Sequence, residues 1–303
     1  MDYKKIIKSR QSRTKILSKL SWVPDSIMLR IQYRLKMGFW PDFKHPKRLS
    51  EKLQLYKMHY RNPSMPRCVD KYDVREYVKG KGLDSILNSL YGVYDDVSEI
   101  QFDTLPHRFI MKSTTGGGGF NVLVVKDKNA IDWDDVKQKI APWCWKRTRQ
   151  QKTNSGREWA YLGIKQSRII IEELLEDDNN PDGSIDDYKF FCFKGKPYCV
   201  QVDRGRYEDH RQNYYDLDWK SLGVHCTYPE GLLIDKPVNF DVMKQVASKL
   251  SEEFPFVRVD LYNIQGKIYF GELTFYPSSG YGKFHPDSFD KELGAQINTD
   301  FSI

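Results

Sequence analysis

Cysteines are scarce in this 303-residue chain, and long hydrophobic runs are missing. The five cysteines are Cys68, Cys144, Cys192, Cys199 and Cys226. Their number is odd and none forms a C-x-x-C pair, which argues against a disulfide framework and against a structural zinc site. This usage suits a reducing compartment, so we expect a cytoplasmic protein. No stretch approaches the roughly 20 apolar residues of a membrane-spanning helix.

Several catalytic motifs are missing as well. The six histidines form no H-x-x-x-H or H-E-x-x-H pair, so we do not expect a zinc enzyme. No G-x-S-x-G elbow is present, which disfavours a hydrolase. No D-x-D motif lies in the strand–loop setting in which a glycosyltransferase would hold its metal.

Acidic residues are outnumbered by basic ones, and the net charge is +7. This charge favours an anionic partner such as a nucleotide, a phosphorylated carrier, a polyanion or a membrane surface; we expect no nucleic acid. The basic N-terminus has no apolar h-region, so we do not expect a signal peptide. It carries Ile6, Ile7, Ile16, Leu17 and Leu20, so it could lie on the inner face of a membrane as an amphipathic helix. A solvated, partly frayed helix is the alternative.

Helical and strand patterns alternate along the chain. Helical spacing marks residues 47–61, 70–78, 131–140 and 239–254, whereas apolar runs mark strands. These strands are predicted at residues 86–93, 109–111, 121–125, 168–171, 188–193 and 197–202. Several are joined by tight links, which predicts an α+β fold with mostly antiparallel sheets.

The C-terminal part contains a predicted hairpin with one acid on each strand. Antiparallel pairing across the turn at residues 263–267 would bring Asp260 and Glu272 together on one face. Two adjacent carboxylates repel unless a cation lies between them, and Mg²⁺ prefers such oxygen ligands. Arg258 shares the face of Asp260 and could reach a transferring phosphoryl group. The alternative is a solvated hairpin with ordinary surface charges.

A run of four glycines follows the predicted strand at residues 109–111. Gly116, Gly117, Gly118 and Gly119 allow backbone N–H groups to approach phosphate oxygens closely, and Lys112 would add a positive charge. Neither a Walker loop nor a dinucleotide fingerprint fits, because no G-K-[ST] and no helix follow. A flexible glycine hairpin is the alternative.

Further candidates are individually ambiguous. Lys71 could bind phosphate or be a helical surface lysine. Asp187 and Lys189 share a strand face and could serve a nucleotide, or form a surface ion pair. The stretch from Arg204 through Arg206 to Arg211 could hold an acidic sugar or peptide, or be a surface loop.

Taken in order, these segments resemble the TupA-like family of the ATP-grasp superfamily, which is linked to teichuronopeptide and capsular polysaccharide synthesis. The resemblance extends from about Leu49 onward. The matching segments lie at residues 50–54, 70–72, 112–119, 157–159, 171–173, 187–193, 256–262 and 271–277. Each match alone is weak, but their order along the chain is specific.

The resemblance implies ATP held between two α+β lobes, with a role for each candidate. Lys71, Lys112 and Lys189 would be phosphate ligands, the glycine run a lid, and Asp260 and Glu272 ligands of Mg²⁺. The hinge that meets adenine would be Glu172, Glu173, Leu174 and Leu175, with Asp187 also at the nucleotide. Arg258, with Lys112, would be catalytic. Arg204, Arg206, Arg211, Ser278, Ser279 and Gly280 are the candidate substrate residues.

Two departures from the superfamily pattern stand out. Many ATP-grasp ligases have asparagine two residues after the second metal acid, where this chain has Thr274, whose hydroxyl could still reach Mg²⁺. Too little chain precedes Lys71 for the Rossmann-like domain of many relatives. We therefore predict a helical N-terminal extension at residues 1–66, a smaller lobe at 67–172 and a larger lobe at 173–303.

The resulting prediction is an ADP-forming ligase that makes an amide bond through an acyl phosphate. By the family likeness, its carboxylate would belong to a uronic acid, acidic peptide or surface polysaccharide, and its amine to an amino acid. The alternatives are a sugar or polysaccharide kinase on the same scaffold and a non-catalytic nucleotide-binding or glycosyltransferase-associated module of a capsule assembly complex.

Overall fold

A computed structural model of the chain describes residues 9, 16–17, 19–117, 119–147, 156–180, 183–206, 208–299 and 301. Most of the predicted basic N-terminal helix, and Gly118, lie outside these ranges. The helices of the described part are α1 (Asp25–Met37), α2 (Leu49–His59), α3 (Met65–Val69), α4 (Val74–Gly80), α5 (Trp133–Ile140), α6 (Trp159–Leu162), α7 (Phe240–Ser251) and α8 (Ser288–Ala295). None of them combines the length and the apolar character needed to cross a bilayer.

The smaller sheet has four antiparallel strands in the order β1-β6-β2-β3. They are β1 (Leu90–Tyr94), β2 (Phe109–Ser113), β3 (Val122–Val125) and β6 (Ile169–Glu172). Inward side chains of β2 and β6 pack against α5 in a separate apolar cluster. Two short strands, β4 (Trp145–Lys146) and β5 (Gln166–Ser167), pair beside this sheet.

The larger sheet has five antiparallel strands in the order β11-β10-β7-β8-β9. They are β7 (Asp187–Phe193), β8 (Lys196–Arg204), β9 (Arg211–Tyr215), β10 (Val257–Ile264) and β11 (Lys267–Thr274). Each of its two tight hairpins turns on two residues with positive φ, Lys194-Gly195 and Gln265-Gly266. Such turns match the right-handed twist of the strands, which explains the short links seen in the sequence.

The main apolar core covers the larger sheet and gathers most of the helices. It includes side chains of α2, α3, α4, α7 and α8 together with β7, β8 and β10. Helix α1 lies outside this cluster and is attached through Tyr33, whose hydroxyl lies 2.9 Å from the hydroxyl of Ser50 in α2. The predicted α+β class with mostly antiparallel sheets is confirmed.

Some predicted boundaries were wrong for local reasons. The helix expected from residue 70 begins only at Val74, because the Asp70 carboxylate accepts the N–H groups of Tyr72 and Asp73 and holds a turn there. Lys71 is therefore not a helical surface residue. The strand expected at residues 86–93 is β1, four residues later, after a 3₁₀ turn at Asp84–Ile86.

Candidate functional site

Arg258 and Asp260 form the centre of the charged face of β10. The Arg258 Nε and Nη2 atoms donate to the two oxygens of Asp260 at 2.7 and 2.6 Å, a bidentate pair. Asp260 is 1 % exposed. Burial would raise the pKa of its carboxyl, but Arg258 and Lys189 outweigh burial and lower the pKa below its ordinary value. Asp260 is therefore held as a carboxylate.

A second group of charges joins this pair from β7 and β8. Lys189 Nζ lies 3.1 Å from Asp260 and 3.8 Å from Asp203, and it also pairs with Asp187. Arg206 contacts Asp187 as well. Burial raises the pKa of the Asp187 carboxyl, an effect that Lys189 offsets only in part. The Oδ1 atom of Asp187 is buried with no hydrogen-bond partner among the described residues, which leaves an acceptor available to a ligand.

Glu272 lies directly opposite Asp260 in the β10–β11 ladder, as the alternation of the hairpin predicted. Its side chain is about half exposed, and its Oε1 atom lies 3.6 Å from Arg258 Nη2. Thr274 Oγ1 donates to the same oxygen at 3.1 Å and accepts from Arg258 at 3.2 Å. Arg258 thus touches both acids and the threonine.

The donor set at this point suits Mg²⁺. In the part of the chain that the structure describes, no group of three or more His, Cys, Asp or Glu side chains is arranged to hold a metal ion. Mg²⁺ does not need such a group, because proteins commonly hold it through one or two carboxylates plus substrate phosphates. Asp260, Glu272 and the hydroxyl of Thr274 supply oxygen donors of this kind, so the residues fit the ion.

The smaller sheet contributes Lys112 and Glu172 from the neighbouring strands β2 and β6. Lys112 Nζ donates to Glu172 Oε2 at 3.0 Å, and Arg75 donates to the other oxygen at 2.9 Å. Glu172 is buried, whereas the Lys112 side chain is 24 % exposed. The ammonium group of Lys112 is therefore more accessible to a ligand than the carboxylate of Glu172.

Lys71 lies next to the glycine run. Its N–H donates to the carbonyl of Thr114 at 2.8 Å, and its Nζ contacts the carbonyl of Gly116. Burial lowers the pKa of Lys71, and the charges of Glu272, which raises it, and Lys112, which lowers it, act on the same group. The pKa of Lys71 thus depends on one charged residue from each sheet, Glu272 from the larger and Lys112 from the smaller.

The glycine run joins β2 to β3 with few contacts of its own. Gly119 has φ of 77°, a left-handed conformation that favours glycine. A Cβ on Gly116 would come within 2.7 Å of the carbonyl of Phe120, whereas one on Gly117 would meet nothing within 4 Å. Gly118 is outside the described residues.

The predicted hinge is the segment between the two sheets. Strand β6 ends at Glu172, and the chain then leaves the smaller sheet. Glu173 is fixed to Ser89, since its N–H donates to the Ser89 carbonyl at 2.9 Å and its carboxylate accepts from the Ser89 hydroxyl at 2.9 Å. Leu174 and Leu175 follow, half-buried, without regular secondary structure.

The three arginines predicted to bind substrate each pair with an acid. Arg206 belongs to the Asp187 group described above. Arg204 and Arg211 are cross-strand partners on β8 and β9, and their acids are Asp186 at 3.1 Å and Asp209 at 2.8 Å. The surface loop considered as the alternative for this stretch does not extend to Arg211, because Arg211–Tyr215 is the edge strand β9.

Ser278, Ser279 and Gly280 form a left-handed turn directly after β11. Their φ angles are 49°, 55° and 69°, and the two serines are unusual in adopting this conformation. Lys57 of α2 holds the turn from below, since its Nζ donates to the carbonyl and hydroxyl oxygens of Ser279 at 2.8 and 3.1 Å. The Ser279 hydroxyl in turn donates to Glu158.

Lys57 is unusual because its side chain is completely buried. Burial lowers its pKa from the ordinary value of 10.5 to about 8, although Glu158, 3.8 Å away, acts in the opposite direction. Next to this turn a cavity of about 50 Å³ opens beside Arg258. Ser278 and Gly280 line it, together with both polar and apolar side chains of α2 and the larger sheet.

One protein-family model matches most of the chain. The family model described as TupA-like ATPgrasp matches residues 51–298. The chain belongs to the TupA-like ATP-grasp family. The match includes both sheets, the glycine run and the turn at residues 277–280, so every charged residue of the candidate site lies within the family domain. A search of the curated proteins finds no match.

Solved structures similar to this TupA-like chain are more distant. A D-alanine–D-alanine ligase from Bacillus anthracis complexed with ATP is 13 % identical, covers 76 % of this chain and has a TM-score of 0.43. The corresponding ligase from Helicobacter pylori is 15 % identical, with 82 % coverage and a TM-score of 0.44. An L-amino acid ligase from Bacillus licheniformis is 12 % identical, with 70 % coverage and a TM-score of 0.38. The chain spans 63 %, 69 % and 42 % of these proteins' lengths.

Three residues of this TupA-like site escaped the sequence analysis. Arg75, which holds Glu172, sits in an unremarkable helical pattern. Glu158 belongs to a segment that matched the family pattern but received no role. Lys57 looks like any lysine of an amphipathic helix, and only the fold shows that its ammonium group points inward.

Proposed function

We propose that this protein is an ATP-dependent ligase that joins a carboxylate to an amine. The observation that carries the proposal is the position of Arg258, which contacts both Asp260 and Glu272 and also lines the cavity. A phosphate bound through Mg²⁺ beside the acids and a carboxylate held in the cavity would meet at this guanidinium. Membership of the TupA-like ATP-grasp family supports ATP as the phosphoryl donor.

In this proposal each charged group has a defined task. Lys112 and Lys71 bind phosphate oxygens of ATP from the smaller sheet, below the glycine run, with Lys189 on the opposite side. Asp187 offers its free oxygen to a ribose hydroxyl, and the segment from Glu172 to Leu175 meets the adenine. Mg²⁺, held by Asp260 and Glu272 with Thr274 beside them, would neutralise charge on the phosphates.

The reaction proceeds in two steps. A carboxylate oxygen of the acceptor attacks the γ-phosphorus, the bond to the β-phosphate oxygen breaks, and ADP leaves. The amine nitrogen then attacks the carbonyl carbon of the acyl phosphate and loses a proton, and inorganic phosphate leaves with the acyl oxygen. Arg258 stabilises the charge on the transferring group through a fixed, already oriented guanidinium. The turn at residues 278–280, held by Lys57, forms the wall against the acceptor.

The family likeness suggests an acidic sugar or a polysaccharide as the carboxylate and an amino acid or another small amine as the nucleophile. The test is ADP release measured with panels of uronic acids and amino acids, with mass spectrometry of the products. We expect ADP release that requires both partners, together with one new amide. ATP consumption without an amide would contradict the proposal, and a stable phosphorylated product formed without an amine would identify a kinase.

A further inference from the structure

The outward face of α1 is apolar although it is exposed to solvent. Ile27, Ile31 and Leu35 recur every four residues along it and are 50 %, 42 % and 46 % exposed. The opposite face, with Leu29 and Tyr33, is fully buried. A soluble helix usually turns its aliphatic stripe inward, whereas this helix has an apolar stripe on each side.

Exposed aromatic side chains lie at both ends of this helix. Trp22 before its first turn is 79 % exposed, and Trp40 after its last turn is 63 % exposed. Seven of the eighteen exposed large apolar side chains in the described chain lie between Ile16 and Trp40. This density is several times that of the remaining surface, so the patch is not the ordinary scatter of single hydrophobic residues.

The charges around the patch are of one sign. Among the described residues from Ile16 to Pro41, four are basic (Lys19, Arg30, Arg34 and Lys36) and a single one is acidic, Asp25. The Asp25 carboxylate is bound by Arg157 at 2.6 Å. Arg30 and Arg34 are exposed on the same side of α1 as the aliphatic stripe. The patch therefore presents apolar and positive groups and no free carboxylate.

We propose that this face of α1, with Trp22 and Trp40, docks onto an anionic phospholipid bilayer. Helices that lie in the membrane interface combine basic residues with Trp, Phe and Leu in this way, and tryptophan favours the headgroup level. A second copy of the chain fits less well, since a symmetric dimer through this face would bring arginines against arginines. The inference does not depend on the proposed ligase activity.

Docking in this orientation has a consequence for the cavity. Tyr33 contacts Ser50 on the inner side of α1, and Ser50 lines the cavity next to Arg258. The cavity is thus one helix away from the bilayer.

The experiment is vesicle co-sedimentation of the full chain. We expect binding to vesicles of equal parts phosphatidylglycerol and phosphatidylcholine, and little binding to phosphatidylcholine alone. The variant Ile27→Ser/Ile31→Ser/Leu35→Ser should weaken binding more than about tenfold, since three aliphatic side chains leave the interface. Arg30→Gln/Arg34→Gln should weaken it about 25-fold, since each arginine near an anionic surface contributes about 1 kcal/mol.

Two matched controls separate this surface from general effects. Leu232→Ser/Leu233→Ser/Val242→Ser removes apolar side chains elsewhere that are at least as exposed, and Lys137→Gln/Lys139→Gln removes two charges from the surface of α5. Both should bind vesicles as the unaltered chain does. Unchanged binding by the α1 triple variant would assign the binding to another segment and overturn the proposal. Self-association that the triple variant abolishes, without vesicle binding, would identify a dimer face instead.

Discussion

The two sides of the candidate site differ in how firmly their charged groups are held. On the larger sheet, Asp260 has both oxygens bound by Arg258 and a further contact with Lys189. On the smaller sheet, Lys112 has one partner among the described residues and is partly exposed, and a Cβ on Gly117 of the glycine run beside it would meet nothing within 4 Å. The larger sheet thus offers a preformed half-site, and the smaller sheet offers the part that can adjust to a ligand.

The largest effect that would test this contrast comes from the two acids themselves. Asp260→Asn should lower the free energy of unfolding by about 3–5 kcal/mol, because it leaves the buried Arg258 guanidinium without its bidentate carboxylate and removes one of the carboxylates around Lys189. Glu272→Gln should change it by less than about 0.5 kcal/mol, because that side chain is half exposed. Both should abolish ligase activity. Denaturant unfolding of the two variants measures the difference, and equal stabilities would remove the contrast.

The larger-sheet side of the site, whose groups are firmly held, also includes the turn at residues 278–280, which Lys57 contacts. Because the pKa of Lys57 is lowered, its contribution to the free energy of unfolding can be tested by varying the pH. The folded pKa of about 8 lies below the ordinary 10.5, so the unfolded chain binds more protons between these values. The contribution of Lys57 to stability therefore rises as pH increases from 8 to 10.5, by up to about 3 kcal/mol.

Comparison with Lys57→Met isolates this contribution from those of other groups. The free energy of unfolding of the unaltered chain, minus that of the variant, should increase between pH 8 and pH 10. We also expect Lys57→Met to raise the KM for the acceptor more than the KM for ATP, since the turn lines the cavity beside Arg258. A difference that stays constant with pH would show that Lys57 has an ordinary pKa.

A smaller difference in stability between the larger-sheet side and the smaller-sheet side is expected when a glycine of each is replaced by alanine. Gly271 lies at a β-bulge opposite Asp260, where a Cβ would come within 2.9 Å of the Asp260 carbonyl oxygen. Gly271→Ala should cost about 1–3 kcal/mol, since the sheet cannot move away easily. Gly117→Ala, in open space, should leave thermal stability unchanged and raise the KM for ATP. Thermal unfolding and initial rates compare the two, and an equal loss of stability would contradict the picture.

Local sequence patterns predicted well which charged side chains of the larger sheet share a face. Period-two alternation around the turn at residues 263–267 predicted Asp260 and Glu272 on one face of the hairpin, but their direct pairing depends on the β-bulge at Gly271, which the pattern did not predict. The spacing of Asp187 and Lys189 likewise placed them on one face. The order of these segments, through the family resemblance, led to the family to which the chain belongs.

Contacts between distant segments were not predictable in the same way. Lys57, Glu158 and Ser279 meet only because α2 and the segment before α6 both pack near the end of β11. No short-range pattern marks a buried lysine, and the left-handed serines carry no turn signal as glycine or asparagine would. Strand β9 was missed because its arginine and tyrosines resemble a polar loop, whereas the fold buries Tyr214 and Tyr215 in the main apolar core.

The central claim is that Mg²⁺ and ATP bind between the two sheets. Glu272 would bind Mg²⁺, and Lys112 would bind the ATP phosphates. Isothermal titration with a non-hydrolysable ATP analogue, with and without Mg²⁺, tests it most directly. We predict Mg²⁺-dependent binding by the unaltered chain, loss of the Mg²⁺ dependence in Glu272→Gln, and binding weakened at least about tenfold in Lys112→Gln but not in the exposed control Lys137→Gln. Absence of binding, or binding that neither Mg²⁺ nor these two substitutions affect, would contradict the account.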